Sequence, residues 1–519
     1  MKSSMVEANS LPLVRGVTMK VSRIFSRRHW AVGLLWVAGF LAVAGIVASC
    51  GGGTSYTMPT NGMGTVTVTI SDPPSCKKPN GSFEHVYVTV RSVQAHIDPH
   101  ADESSSGWQE LAPQLGNQPM QIDLFSPAQT NCVLAQLGSA SLPVGSYQQM
   151  RLLLVSNNPS AGSPVPSANA CAGDGFNCAV LSDGSIHELE LSSQANTGLK
   201  IPPGQIVGGP IQVVAGQSVD LNIDFNACAS IVQQGNGKFR LKPTLTAGQV
   251  SPNNSGIGGQ VVDSVTKAPI VGSVLVAVEQ PDSRGIDRIV MEASADGNGN
   301  FRFCPLPAGP FDVVIVAVGP NNLPYNATAV MNVPNGTNLS AIPLVAETGA
   351  TSPAVLQGFV TASGASSGAN ADVSLAALQT ITFGTNPLIT RDLTIPLESI
   401  QATATTQPTI STGLISVESN TNCPAGSPAN ANCAPYTLVV PGSNPNVGTF
   451  SASGFGYAGP VSGDVLFTVD AIAAVPASGG TPNCSPSEMM TSKNANNQPL
   501  RVTAGLTTNV ARIDFMGCS

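Results

Sequence analysis

Phe83-Glu-His-Val-Tyr-Val-Thr-Val-Arg-Ser-Val93 decides the fold class of this chain. Val86, Val88 and Val90 recur at every second position, the period of a strand with one buried face. β-Branched residues dominate the run, as they do where side chains pack on a pleated surface. The same pattern surrounds it. Gly64-Thr-Val-Thr-Val-Thr-Ile-Ser-Asp72 lies upstream. Trp108-Gln-Glu-Leu111, Ile122-Asp-Leu-Phe125, Gln149-Met-Arg-Leu-Leu-Leu-Val155, Gln217-Ser-Val-Asp-Leu-Asn-Ile-Asp-Phe225 and Phe239-Arg-Leu-Lys-Pro-Thr-Leu245 lie downstream. Only 10% of the 519 residues are charged, against 53 Gly and 41 Pro, a balance that favours short strands and turns over helices. The sequence predicts an all-β protein of tandem antiparallel β-sandwich domains, since this length exceeds one ordinary core.

The strand order carries a resemblance. An opening strand ending in Ser71-Asp72-Pro73, then the valine strand leading to His96, Trp108-x-x-Leu111, Ile122-Asp-Leu124, Leu142-Pro-x-Gly-x-Tyr147 and Leu221-Asn-Ile-Asp-Phe225 resemble the family catalogued as domain of unknown function 4382. The resemblance spans 63–250 and implies an exported β-rich domain, with no activity and no site residues attached to it. A second domain is expected over 256–346. Gly258-Gly-Gln-Val-Val-Asp263, Ala268-Pro-Ile270, Asp296-Gly-Asn-Gly-Asn-Phe-Arg-Phe303 and Leu306-Pro-Ala-Gly-Pro-Phe311 are similar to the carboxypeptidase regulatory-like family, a transthyretin-type sandwich. Phe311, Ser273 and Leu275 depart mildly from that family's usual Tyr, Ala and Val. The name implies an accessory domain and no peptidase activity. Strand-like runs at Val355–Val360, Ala371–Leu375, Gly463–Asp470 and Val510–Phe515 predict a third sandwich over 352–519, with no family resemblance.

The N-terminus reads as an address. Lys20, Arg23, Arg27 and Arg28 precede an uncharged stretch from Trp30 to Ala48, which ends in Val47-Ala48-Ser49-Cys50. A basic region, an apolar region and a small-residue cleavage site describe an export signal over 1–49. The cysteine at the cut resembles the lipobox of bacterial lipoproteins, in which the thiol is acylated and becomes residue one. The competing reading is an uncleaved span, since Trp30–Ser49 is long enough to cross a bilayer. Met19 is an alternative start to Met1. Residues 50–62 follow as a Gly/Ser/Thr/Pro tether. The partner so implied is a lipid bilayer, reached through acylated Cys50. Gly51, in place of an Asp, tilts sorting towards the outer membrane of the cell envelope, on its periplasmic or surface side. Removing 1–49 leaves 16 basic and 29 acidic residues, a net charge of −13 that repels nucleic acid.

Eleven cysteines become ten once Cys50 is assigned to lipid, an even number suited to disulfides in an oxidising compartment. Spacing suggests Cys171–Cys178, Cys423–Cys433 and Cys484–Cys518. The connectivity of Cys76, Cys132, Cys228 and Cys304 stays open.

Among polar residues, His96, Asp98 and His100 form the densest possible ligand set and are candidate ligands for a divalent cation, with Asp102 and Glu103 beside them. The competing reading is a solvated hairpin tip. Asp296, Asn298 and Asn300 share the opening spacing of a calcium loop, but Phe301 enters a strand where that loop would continue. A turn at Asn298-Gly299 is favoured. Gly364-Ala-Ser-Ser-Gly368 matches a nucleophile motif by letter only, since no helix follows and no histidine lies beyond it. Trp108 is the mature chain's only tryptophan and its candidate glycan contact. No cofactor is expected. Together these readings predict a non-enzymatic, lipid-anchored envelope protein with a binding or structural role, whose partner is a glycan or another envelope protein. The alternatives are a carbohydrate-binding module protein or the accessory subunit of a secreted hydrolase.

Overall fold

A computed structural model of the chain describes residues 62–518, apart from internal segments of which the longest are 73–82, 127–134, 398–412 and 476–483. The leader, Cys50 and the tether lie outside the described residues. Residues 58–519 form one compact unit. Its described part is built from strands, with short 3-10 turns such as Pro113–Gly116. No helix among the described residues is long and apolar enough to cross a membrane.

The first region is a sandwich. Met63–Ser71 runs parallel to Ser218–Asn226 and antiparallel to Ala135–Pro143 in a five-stranded sheet. Phe83–His96 organises the opposing sheet, pairing with Gln149–Leu154, Met120–Asp123 and Cys178–Leu181. Val66, Val68 and Ile70 meet Val86, Val88 and Val90 in one core, all fully buried. Val93 and Ala95 are buried as well, although they break the even-numbered rhythm. A register shift between Val90 and Ser92 explains it, because one extra residue re-aims every side chain after it.

Two further cores sit on opposite faces of one sheet. Ser273–Pro281, Ile286–Ser294, Phe311–Val318 and Thr328–Val333 form its middle. On one face Val276, Val278, Val313, Ile315 and Val330 pack against Phe301, Phe303, Leu339 and Ile342. These come from a three-stranded sheet of Asn300–Phe303, Ile257–Asp263 and Asn338–Leu344. On the other face Leu275, Val314, Val316 and Met331 join Leu356, Val360, Tyr436 and Phe515 of the C-terminal region. Hence every residue of Phe311–Val318 is buried. A near-continuous apolar run is what a strand covered on both faces requires.

The middle sheet is also hydrogen-bonded to the C-terminal region at both edges. Ile286 and Asp287 pair in parallel with Asp392 and Leu393. At the other edge, Thr328–Val333 pairs in parallel with Asn446–Thr449. The sheet thereby runs through 11 strands among the described residues, ignoring the expected boundary near 346–352. The turn at 296–300 is set locally. Asp296 Oδ1 accepts the amides of Asn298 (2.9 Å) and Asn300 (2.8 Å), and Gly299 adopts φ +77°.

Candidate functional site

A polar arrangement in the first region gathers around Trp108. His96, nearly buried at the end of Phe83–His96, packs its ring 5.1 Å from the indole, and the Arg151 guanidinium carbon lies 4.1 Å from the ring centre. Arg151 Nε donates to Gln94 Oε1 at 2.7 Å. Glu110 completes the set, accepting from Ser92 Oγ (2.6 Å), the Val93 amide (3.1 Å) and Gln94 Nε2 (3.2 Å). His96 Nδ1 accepts the Asp98 amide at 2.9 Å and Nε2 donates to the Ser106 carbonyl, also at 2.9 Å. With both ring nitrogens engaged, His96 holds the 97–107 connection and has no lone pair free for a cation. His100, Asp102 and Glu103 lie outside the described residues. Among the described residues no group of three or more His, Cys, Asp or Glu is placed to hold a metal ion. Trp108 is half-buried, and the packing of His96 and Arg151 on its ring gives it a structural contact with the sheet.

A second polar group joins residues to which sequence reasoning gave no role. Asp72 follows Met63–Ser71, Asp123 ends Met120–Asp123 and Asp224 lies within Ser218–Asn226, and the fold brings the three near one another. Ser71 Oγ donates to Asp224 Oδ1 at 3.0 Å while accepting from Asn222 Nδ2 at 2.7 Å. Burial lifts the Asp224 carboxyl to about 7, with the Ser71 hydrogen bond opposing the rise. Burial, then the charges of Asp224 and Asp123, hold Asp72 well above the ordinary carboxylate range. Asp123 accepts from His85 Nδ1 at 2.7 Å, so His85 is a partly exposed hydrogen-bond partner on the outer side of the valine strand. The available signal was an Asp beside an isoleucine in two strands, Ile122-Asp123 and Ile223-Asp224.

The first and C-terminal regions are joined through a charged seam. Arg240 donates to Asp372 Oδ2 (3.0 Å), Ser416 Oγ (2.9 Å) and Glu418 Oε1 (2.8 Å), with Arg240 and Asp372 both buried. Lys242 donates to Ser374 Oγ, and burial lowers its amine to about 8 against the opposing pull of Asp372. A cavity of about 180 Å³ lies where all three regions meet, lined by Asn226, Thr244, Glu292, Ser374 and Thr394 among aliphatic neighbours.

Cys171–Cys178, Cys423–Cys433 and Cys484–Cys518 are disulfides, with Cα separations of 5.7, 5.6 and 3.9 Å. Cys304 is disulfide-bonded too, while Cys76, Cys132 and Cys228 lie outside the described residues. Within the Gly364–Gly368 motif the Gly364 amide donates to the Ser367 carbonyl at 2.8 Å, and Ser363 bridges Gly368.

Residues 63–243 match the family model described as domain of unknown function DUF4382. No curated protein matches the chain. Among solved structures, the Bacillus anthracis TIE protein is similar at 9% identity and a TM-score of 0.14, over 88% of this chain and 51% of that one. This chain thus spans about half the length of that protein. The shaft pilin SpaA from Lactobacillus rhamnosus GG is similar at 10% identity and a TM-score of 0.17, over 56% of this chain and 98% of that one.

Proposed function

We propose that this chain is a non-enzymatic protein of the bacterial cell envelope, held to a bilayer by lipid on Cys50 and serving a structural or binding role. Within it, a DUF4382 domain precedes a middle sandwich of the carboxypeptidase regulatory-like type. One observation carries the structural half of this reading. Residues 58–519 form a single compact unit whose sheet, cores and ion pairs cross from region to region. Such a body transmits position and load from one end to the other, because its described parts are joined by shared strands, cores and ion pairs. The polar side chains around the valine strand support the same reading: His96, which the sequence singles out, and Glu110, Arg151 and Asp123 are engaged in holding strands together. For the anchor, the support is the basic–apolar–small–Cys50 order at the N-terminus.

The anchor is tested by expressing the full chain and its Cys50→Ala variant in a Gram-negative host fed labelled palmitate. Wild type is expected to take up label and sediment with outer membranes, and the variant to lose the label. Equal labelling of the two proteins would remove the lipoprotein reading.

A further inference from the structure

The joint between the middle and C-terminal regions is built on buried acid. Glu279 and Asp287 are fully buried, and Asp312 nearly so. Glu279 stands opposite Asp312 in the pairing of Ser273–Pro281 with Phe311–Val318, so both acids share one face. That face carries Val314 and Val316, which pack into the C-terminal core. From the C-terminal side, Ile389–Ile395 supplies the groups that meet these acids. Arg391 Nη1 donates to Asp287 Oδ1 and to Asp312 Oδ2, both at 2.9 Å. The Thr394 amide donates to Glu279 Oε2 at 3.2 Å, and Thr394 Oγ1 to the Asp287 carbonyl at 2.6 Å.

The donors do not cover the acids. Glu279 Oε1 and Asp287 Oδ2 are buried with no hydrogen-bond partner among the described residues. The neighbouring charges do not restore the balance. Asp282 and Glu292 add further negative charge near Asp287 and Glu279. Arg288 is engaged by Asp282, Asp470 and Glu488, and Asp392 accepts from Thr380 Oγ1. One guanidinium therefore faces three buried carboxyls. An unpaired ionised carboxylate in such a place is strongly unfavourable, and a proton removes the charge.

We propose that Glu279, Asp287, Asp312 and Arg391 form a pH-operated latch, closed while the carboxyls hold protons and loosened as they ionise. Burial and then Asp312 push Asp287 up to about 6 against the pull of Arg391, and burial and then Asp287 hold Glu279 well above its ordinary range. In the unfolded chain these acids return to about 4. The folded state thus binds more protons between the two values. Its extra stability is complete below about 4 and is lost as pH rises through about 6. Arg391 stays charged throughout.

Hydrogen exchange on the full mature protein tests the latch, with rates corrected for the intrinsic effect of pH. Protection of peptides from Ile286–Ser294 and Ile389–Ile395 is expected to fall about tenfold between pH 5 and pH 8, the linkage of one acid with this shift. Asp287→Asn and Glu279→Gln are each expected to lessen the fall. Unchanged or rising protection in wild type, or an undiminished fall in both latch variants, would overturn the proposal. Should the latch variants fail to fold, infrared spectroscopy of a variant carrying both Asp72→Asn and Asp224→Asn decides. A protonated buried carboxyl band present at pH 5 and gone by pH 8 supports the latch, and its absence at pH 5 refutes it.

Discussion

Gly299 shows how much one position can constrain. Its φ of +77° suits glycine, and a methyl there would sit 2.2 Å from the Val261 carbonyl oxygen. Gly299→Ala is expected to cost about 1–3 kcal/mol, read as a lower urea midpoint with an unchanged slope. The Asn-Gly pair made this turn legible from sequence, because backbone preference acts locally. His96 was legible only as a polar residue at a strand end. Its two ring partners are the Asp98 amide and the Ser106 carbonyl, and backbone groups leave no mark on side-chain spacing. The phase of the valine strand was legible up to Val90, and the extra residue before Ser92 hid the rest. Asp224 offers a test of a residue placed by the fold alone. With its carboxyl lifted to about 7, Asp224→Asn is expected to flatten stability between pH 5 and 7, where wild type loses stability as pH rises. Thermal midpoints across that range measure the difference.

Among the elements, Phe311–Val318 and its neighbour Thr328–Val333 behave unlike the outer strands because both of their faces are covered. Ile315 faces the middle core and Met331 the C-terminal core, each fully buried. Ile315→Ala and Met331→Ala are each expected to cost about 2–5 kcal/mol, since either leaves a cavity in a packed interior. Denaturant unfolding followed by tryptophan and by far-ultraviolet dichroism should show both losses. Sequence reading reached Phe311 through the family pattern and gave no sign of Thr328–Val333. It did not reveal what covers their second face. Leu275, Val314 and Val316 read as ordinary strand residues, and only the arrival of Leu356, Val360 and Phe515 gives them a partner. Parallel neighbours were equally hidden, because Val66 and Val219 are brought together by chain far outside either strand.

At the scale of the molecule, the regions are coupled by interactions that none of them makes alone. Arg240 and Asp372 are both buried, so removing the cation strands an acid in a poor dielectric. Arg240→Ala is expected to cost about 3–5 kcal/mol. Calorimetry should then resolve an early transition for the first region, where wild type unfolds its regions together. Retention of one transition at the wild-type temperature would show that the seam is dispensable. The pairing of the middle sheet at both margins has a further consequence for biogenesis. The strand Thr328–Val333 receives its neighbour from 446–449, and Ile286–Ser294 receives its neighbour from 389–395, all later in the chain. During N-to-C emergence the central sheet therefore exposes two unpaired margins, each able to recruit a strand from another molecule. Folding has to outpace or shield that interval, which makes this protein's yield depend on how quickly its last third is delivered.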